Sequence, residues 1–315
     1  MISILPPRLG RVARARATLR RYSSSIFRRS TPFALLSYRT DNLGDFIQSL
    51  AARNFVRSVD RYLDREELNE MRTPDGTKIK VVLNGWFCHR PDRWPPAPCI
   101  DPLLISFHVT NNPEPGSGMR AREEFSRMPH VLRYLHEKAP VGARDYFTLE
   151  WLQSQGIDSY YSGCLTLTFQ RPAVPREPFI VINDLSQEVA ARVEAVTELD
   201  VRRTTHHDSQ TVGPDQRIRK AEVLIDLYAR ASCVVTSRLH GALPCLAMGT
   251  PTLLIDESWD QSRFTGLNEL VHHCTGAEFL SGEIEYDVRN PPPNPERHIG
   301  LRDLLTARTA AFVAD

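Results

Sequence analysis

An arginine and a histidine two residues apart, Arg238 and His240, stand between the apolar run Cys233 to Thr236 and the small residues Gly241 and Ala242. That order of residue types reads as a strand ending, a polar turn through Ser237, and a helix beginning. The first backbone N–H groups of a helix lack partners within it and attract anions. A guanidinium keeps its charge when desolvated and grips two oxygens at once, and an imidazole titrates near neutral pH. Together they make a compact site for a phosphate or carboxylate with a proton donor beside it. The plainer reading, a surface arginine and a histidine bonded to backbone, stays open at this stage.

Three other stretches carry residues of the same kind. In Tyr38-Arg-Thr-Asp-Asn-Leu-Gly-Asp45 a first strand gives way to Asn42, Gly44 and Asp45. Asp45 there follows Gly44 at the start of a helix, where capping or charge complementarity with the helix dipole is a common use of a carboxylate. Val141-Gly-Ala-Arg-Asp145 places Arg144 before a helix, and Thr205-His-His207 places His206 and His207 where a strand closes toward a cleft. Adjacent histidines suggest a metal, but neighbours on an extended chain point to opposite faces and no third ligand stands at a recognisable spacing, so no metal is expected. Trp86 and Trp94 are aromatic enough to stack on a sugar, although core packing is the ordinary use of a tryptophan. Arg217 and Arg219 read as solvated charges on an amphipathic helix.

The elements that must hold these residues alternate short apolar runs with helical patterns, as βα units around a parallel sheet do. Strands are expected at Phe33–Tyr38, Ile79–Leu83, Leu103–Phe107 and Tyr160–Gly163, with helices at Asp45–Val59, Pro129–Lys138 and Asp145–Gln155. Three prolines within 171–178 mark a linker. A second series follows: strands Phe179–Asn183, Val201–Thr205, Cys233–Thr236 and Thr252–Ile255 alternate with helices Ser186–Leu199, Asp215–Ala231 and Leu239–Met248. The expectation is an α/β chain of two Rossmann-like domains facing a cleft, 32–172 and 173–290, with a Pro-rich break and last helix at 291–315. In such sheets ligands bind at the carboxyl ends of the strands.

Ahead of these domains lies an arm, residues 1–31. Within the first 40 residues stand nine of the 39 basic side chains and none of the 38 acidic ones, so the formal +1 of the 315-residue chain hides a basic arm on an acidic body. Leu5, Leu9, Val12 and Leu19 recur near a helical period among the arginines, which suits a helix lying on an anionic membrane surface. A disordered tail, an organelle transit peptide and an over-long gene model are the other readings. No second basic face or binding module supports nucleic acid as a partner. The six cysteines show no paired spacing, which argues against a disulfide scaffold or zinc ribbon and suits a reducing, cytoplasmic setting.

Ser237-Arg-Leu-His-Gly241 with Gly249-Thr-Pro251 closely resembles the signature of the polysaccharide pyruvyl transferase family. The turn from Tyr38 to Asp45, the Arg144-Asp145 pair and the histidines of Thr205-His-His207 resemble further family positions, in the same order. The resemblance runs over about 33–275. It implies a GT-B-like fold and transfer of a pyruvyl group from phosphoenolpyruvate to two hydroxyls of a sugar, forming a ketal, with no further cofactor. The acceptor is then a polysaccharide or its lipid-linked precursor, and the arm a peripheral contact at the inner face of the cell membrane. On that reading His240 is the acid and Asp45 the base, while Arg238, Arg144, Asn42, Gly44, His206, His207, Ser237 and Gly241 bind substrate. The competing readings are a GT-B-type glycosyltransferase using a nucleotide sugar and a non-catalytic sugar- or anion-binding homologue. Glycosyltransferases of this shape often carry paired glutamates in the second domain, and Ser232 to Asp256 contains none.

Overall fold

The computed structural model describes residues 31–113, 118–209, 212–257 and 261–315. The expectation for the arm falls on residues 1–30, outside that range. No helix among the described residues is long and apolar enough to cross a membrane.

The first domain is built on β1 (Phe33–Ser37), α1 (Leu43–Arg53), β2 (Arg61–Asp64), β3 (Ile79–Phe87), β4 (Ile100–Val109), α2 (Ala121–Arg127), α3 (Pro129–Glu137), β5 (Val141–Ala143), α4 (Tyr146–Ser154) and β6 (Ser159–Tyr161). Its six strands lie in the order β2-β1-β3-β4-β5-β6, and every pair is parallel. Ile79 to Leu83 is buried throughout, as a strand covered on both faces requires.

The second domain comprises β7 (Phe179–Asn183), α5 (Gln187–Ala195), β8 (Asp200–Thr204), α6 (Pro214–Arg230), β9 (Cys233–Thr236), α7 (Leu239–Met248), β10 (Thr252–Asp256), β11 (His272–Thr275) and α8 (Gly276–Ser281). Its order is β11-β10-β9-β7-β8, again parallel. The last helix, α9 (Ile299–Ala314), returns to the first domain, where the Lys80 ammonium donates to the Phe312 carbonyl at 2.7 Å.

Two Rossmann-like domains thus face one another, each with its first strand flanked by its second and third. The strand order reverses between β1 and β3 and again between β7 and β9, and such switch points open a crevice at the strands' carboxyl ends. The register puts Asn183 beside Thr236, so the residues leaving β7 and β9, Asp184 and Ser237, emerge side by side.

The domains share apolar surface. Phe46, Ile47 and Leu50 of α1 belong to the same buried cluster as Ile218 and Ala221 of α6 and Leu243 of α7. Burying a side chain of that size contributes about 1.5–3 kcal/mol, so this seam is a substantial tie. A second cluster, with Ile182, Val189, Val235 and Ile255, fills the other face of the second sheet.

Candidate functional site

α1 begins two residues before the sequence pattern indicates, because Asn42 caps it: the Asn42 side-chain oxygen accepts the Gly44 N–H at 2.9 Å. Leu43 N–H donates to the His206 carbonyl at 2.7 Å, and Asp208 N–H to the Asp41 carbonyl at 2.6 Å. The turn after β1 is therefore stitched by backbone to the segment after β8. Gly44 sits against the two imidazoles of the second domain. A Cβ there would lie 3.0 Å from His240 Nδ1, 3.2 Å from His206 Nδ1 and 2.9 Å from Asn42 Oδ1. Glycine is the residue that permits this approach.

A cleft of about 430 Å³ opens here, lined among others by Asn42, His206, Ser237, Arg238 and His240. Asp184, Glu257, Arg263 and Phe264, which carry no sequence motif, line it too. The loop bearing Arg263 and Phe264 is held against the first domain, since Tyr161 OH donates to the Gly266 carbonyl at 2.7 Å and Phe147 N–H to Thr265 Oγ1 at 3.2 Å.

His240 enters α7 almost fully buried, and its Nε2 has no hydrogen-bond partner. Burial first, and then the positive charge of Arg144, hold its pKa well below the usual imidazole value; His206, Arg263 and Arg238 push the same way. Arg144, at the end of β5, is fully buried. Among the described residues none of its three guanidinium nitrogens makes a hydrogen bond, and the charge is met by Asp145, Nε to Oδ2 3.4 Å. A buried guanidinium with unspent donors is suited to an anion, and Arg144 acts on His240 from behind the cleft, whose lining does not include it.

Asp184 takes the left-handed conformation, φ 51°, which a short polar side chain tolerates. Its carboxylate accepts from Thr205 Oγ1 at 2.5 Å, His206 N–H at 2.9 Å and Arg238 Nε at 2.8 Å. Burial works to raise its pKa, but these donors and the arginine outweigh it and hold the carboxyl below the usual range. Arg238 is accordingly a half-exposed arginine at the rim with part of its charge already matched. His206 is buried and its Nε2 meets Tyr228 OH at 3.0 Å. Burial pushes its pKa down to about 4.

Of the remaining sequence candidates, His207 stays outside the cleft, its ring mostly exposed and 3.0 Å from Asp41 Oδ2; successive residues on an extended chain face opposite ways. Ser237 lines the cleft, but its hydroxyl donates to the Asp184 carbonyl at 2.5 Å. Gly241 is buried in α7, where a Cβ would meet Thr236 Oγ1 at 2.8 Å, so its part is close packing beneath the turn. Asp45 lies in the first turn of α1, accepting from Thr40 Oγ1 at 2.7 Å and absent from the cleft lining. Trp94 is core, edge-on to Phe87 at 5.4 Å.

His108, the penultimate residue of β4, is a further component. Its Nδ1 is 2.5 Å from Asp145 Oδ2, its Nε2 has no partner, and burial takes its pKa down to about 4. Asp145 in turn caps α4 by accepting the Thr148 N–H at 2.8 Å. Arg144, Asp145 and His108 thus form one buried charged group, of which the sequence showed the first two. Among the described residues no cluster of histidines, cysteines and carboxylates stands ready for a metal.

His108, His206 and His240 all bind a proton more weakly folded than unfolded. Between about pH 6.5, the unfolded value, and pH 4 the unfolded chain therefore holds more protons, and stability falls as pH falls. A decrease in Tm on the order of 10 °C between pH 7.5 and 5 is expected by calorimetry, with inorganic phosphate reducing the loss. A flat profile would mean that these histidines are not buried as described.

Fold and site together define a two-domain α/β protein with a crevice lined by arginines and histidines at the second domain's switch point. Residues 118–258 match the family model described as polysaccharide pyruvyl transferase. The match bears out the resemblance read from the Ser237–Gly241 signature and supports a transferase in general terms. A solved structure of an uncharacterized protein from Klebsiella pneumoniae subsp. pneumoniae is similar at 12% identity, with a TM-score of 0.41, over 78% of this chain and 92% of that one. A likeness of that degree carries no argument. No curated protein matches the chain.

Proposed function

We propose that the cleft transfers the pyruvyl group of phosphoenolpyruvate to two hydroxyls of one sugar unit, forming a cyclic ketal and releasing phosphate. The observation that carries this reading is a buried imidazole at the cleft, His240, whose Nε2 has no partner among the described residues, set between the lining arginines Arg238 and Arg263 and the buried guanidinium of Arg144 behind them, which makes no hydrogen bond among those residues either. Phosphoenolpyruvate brings a phosphate and a carboxylate for the cations and an enol carbon for the acid. In the empty cleft His240 is neutral; a bound anion offsets the charges of Arg144, Arg238 and Arg263, so the imidazole takes up a proton as the donor arrives. It then protonates the methylene carbon, and C2, left electron-poor, accepts the first sugar oxygen. The second hydroxyl attacks C2 as the C–O bond to phosphate breaks, its electrons leaving with the phosphate.

A base is needed for each hydroxyl proton. Asp45 is engaged with Thr40 and away from the cleft lining, and Asp184 is saturated by three donors. Among the described residues Glu257 is the remaining carboxylate of the lining; its Oε2 accepts the Ser186 N–H at 2.9 Å. We assign the first hydroxyl proton to it and the second to His240, which is neutral again once it has given its proton to the methylene carbon. The same glutamate favours the nucleotide-sugar alternative, because a carboxylate at this place suits a ribose or sugar hydroxyl. In this reading the acceptor is a polysaccharide or its lipid-linked precursor, met at the inner face of the membrane.

Calorimetry separates the two donors. Phosphoenolpyruvate is expected to bind with uptake of a proton, seen as a dependence of the heat on the buffer's ionisation enthalpy. Binding of UDP-glucose with no response to phosphoenolpyruvate would overturn the proposal.

A further inference from the structure

We propose that Arg217 of α6 is a positioning residue: it clamps the turn after β1 onto the second domain and so sets Gly44 and Asn42 against the His206 and His240 rings. The sequence pattern treats Arg217 as a solvated charge, but only 2% of the residue is exposed, because the first turns of α6 pack on the first domain. Its NH1 donates to the Thr40 carbonyl at 2.6 Å and to that of Tyr38 at 3.4 Å, two backbone oxygens beyond the end of β1. Its Nε donates to Asp208 Oδ2 at 3.2 Å, and the guanidinium lies 4.4 Å from the centre of the Phe46 ring. Asp208 is itself tied to the same turn through its backbone N–H and the Asp41 carbonyl, and Lys220 pairs with its other oxygen.

One guanidinium thus joins both sides of the seam within a few residues of the cleft. The fork matters, since a lysine at this place is a point charge that cannot serve the two carbonyls and the carboxylate in fixed directions. The clearance at Gly44 gives the clamp its consequence: with the histidine nitrogens 3.0 and 3.2 Å from where a Cβ would stand, a small drift of the turn frees both rings and admits water. A general tie between the domains exists elsewhere, at Arg53 with Glu222 and at Tyr62 with Asp215, on surfaces remote from the cleft lining. Arg217 adds a buried side-chain tie to the backbone bonds that join the turn carrying the site to the segment after β8.

The catalytic part of this inference rests on the proposed pyruvyl transfer; the structural part does not, and the test separates them. Histidine-labelled protein without substrate is titrated by NMR, as wild type, R217K and Glu222→Gln. Facing His240 are Arg144, Arg238, Arg263 and His206, all unchanged in the variants. In R217K the His240 midpoint is expected to rise toward about 6.5, the solvated value, because burial is the largest cause of its depression. The kcat for transfer should fall roughly 30- to 100-fold, the scale of a misplaced catalytic group, with the donor KM within about threefold of wild type. Glu222→Gln should change neither. Asp208→Asn, which unties the guanidinium without removing it, replaces R217K if that variant does not fold. A folded variant with wild-type His240 titration overturns the inference, as does Glu222→Gln reproducing the changes. Shifted titration without transfer by the wild type overturns the functional reading and leaves the clamp standing.

Discussion

Replacing His240 with Asn is expected to lower the rate of phosphate release from phosphoenolpyruvate by about 10²- to 10⁴-fold, the range that a positioned general acid supplies. The donor should still bind. Asn keeps a polar side chain of similar reach, so that Gly44, packed against the ring, faces no large cavity. The second half of the expectation is a loss of linkage. In the wild type the depressed imidazole takes its proton when the dianion arrives, so donor affinity rises as pH falls through the window in which the empty cleft holds His240 neutral and the loaded cleft holds it charged. In His240→Asn that contribution to proton uptake disappears, and calorimetry in buffers of different ionisation enthalpy reads it directly. A variant that retained both the rate and the proton uptake would remove His240 from the chemistry.

Arg144→Met is expected to weaken the donor by on the order of 10²- to 10³-fold, because a buried charged partner of an anion contributes several kcal/mol when truncated. Arg144→Lys should restore little, since an ammonium cannot reproduce the planar fork. The contrast with Arg238 follows from geometry. Arg238 is half exposed and already spends its Nε on Asp184, so Arg238→Ala should cost the donor less than Arg144→Met. The same substitution of Arg144 removes the strongest positive charge acting on His240, and the imidazole pKa should rise in the empty protein. Equal losses from the two arginines would contradict the assignment of the buried one as the main anion receptor.

Much of this was legible before any coordinates. The βα alternation located both sheets, and the turns after β1, β5, β8 and β9 were recognisable because each closes an apolar run with residues of sharply different chemistry. The edges were not. Arg61-Tyr-Leu-Asp64 is too polar to read as a strand, yet it pairs with β1 at the sheet edge, where half-exposed residues suffice. Val141–Ala143 is only three residues long and reads more readily as a prelude to the helix than as a strand.

The site divides in the same way. Arg144, His206 and His240 stand out in the sequence because residue type and position within a βα unit coincide. His108 fell just beyond the apolar run that marked its strand, and its pairing with Asp145 joins residues 37 positions apart. Asp184 owes its part to a positive φ, which no side-chain pattern announces. Arg263 and Phe264 reach the cleft on an irregular loop. Glu257 stands one residue past the glutamate-free stretch Ser232 to Asp256, so the cleft does hold a glutamate. Asp45 bonds Thr40 and does not line the cleft, and the first turn of a helix is itself a good place for a carboxylate.

The most direct measurement is mass spectrometry of a sugar acceptor incubated with the protein and phosphoenolpyruvate. The account predicts a product heavier by one pyruvyl ketal, matched by one phosphate released, dependent on phosphoenolpyruvate and lost in His240→Asn. An acceptor that instead gains a hexose from a nucleotide sugar, or stays unchanged across a panel of free and lipid-linked glycans while phosphoenolpyruvate binds, would contradict it.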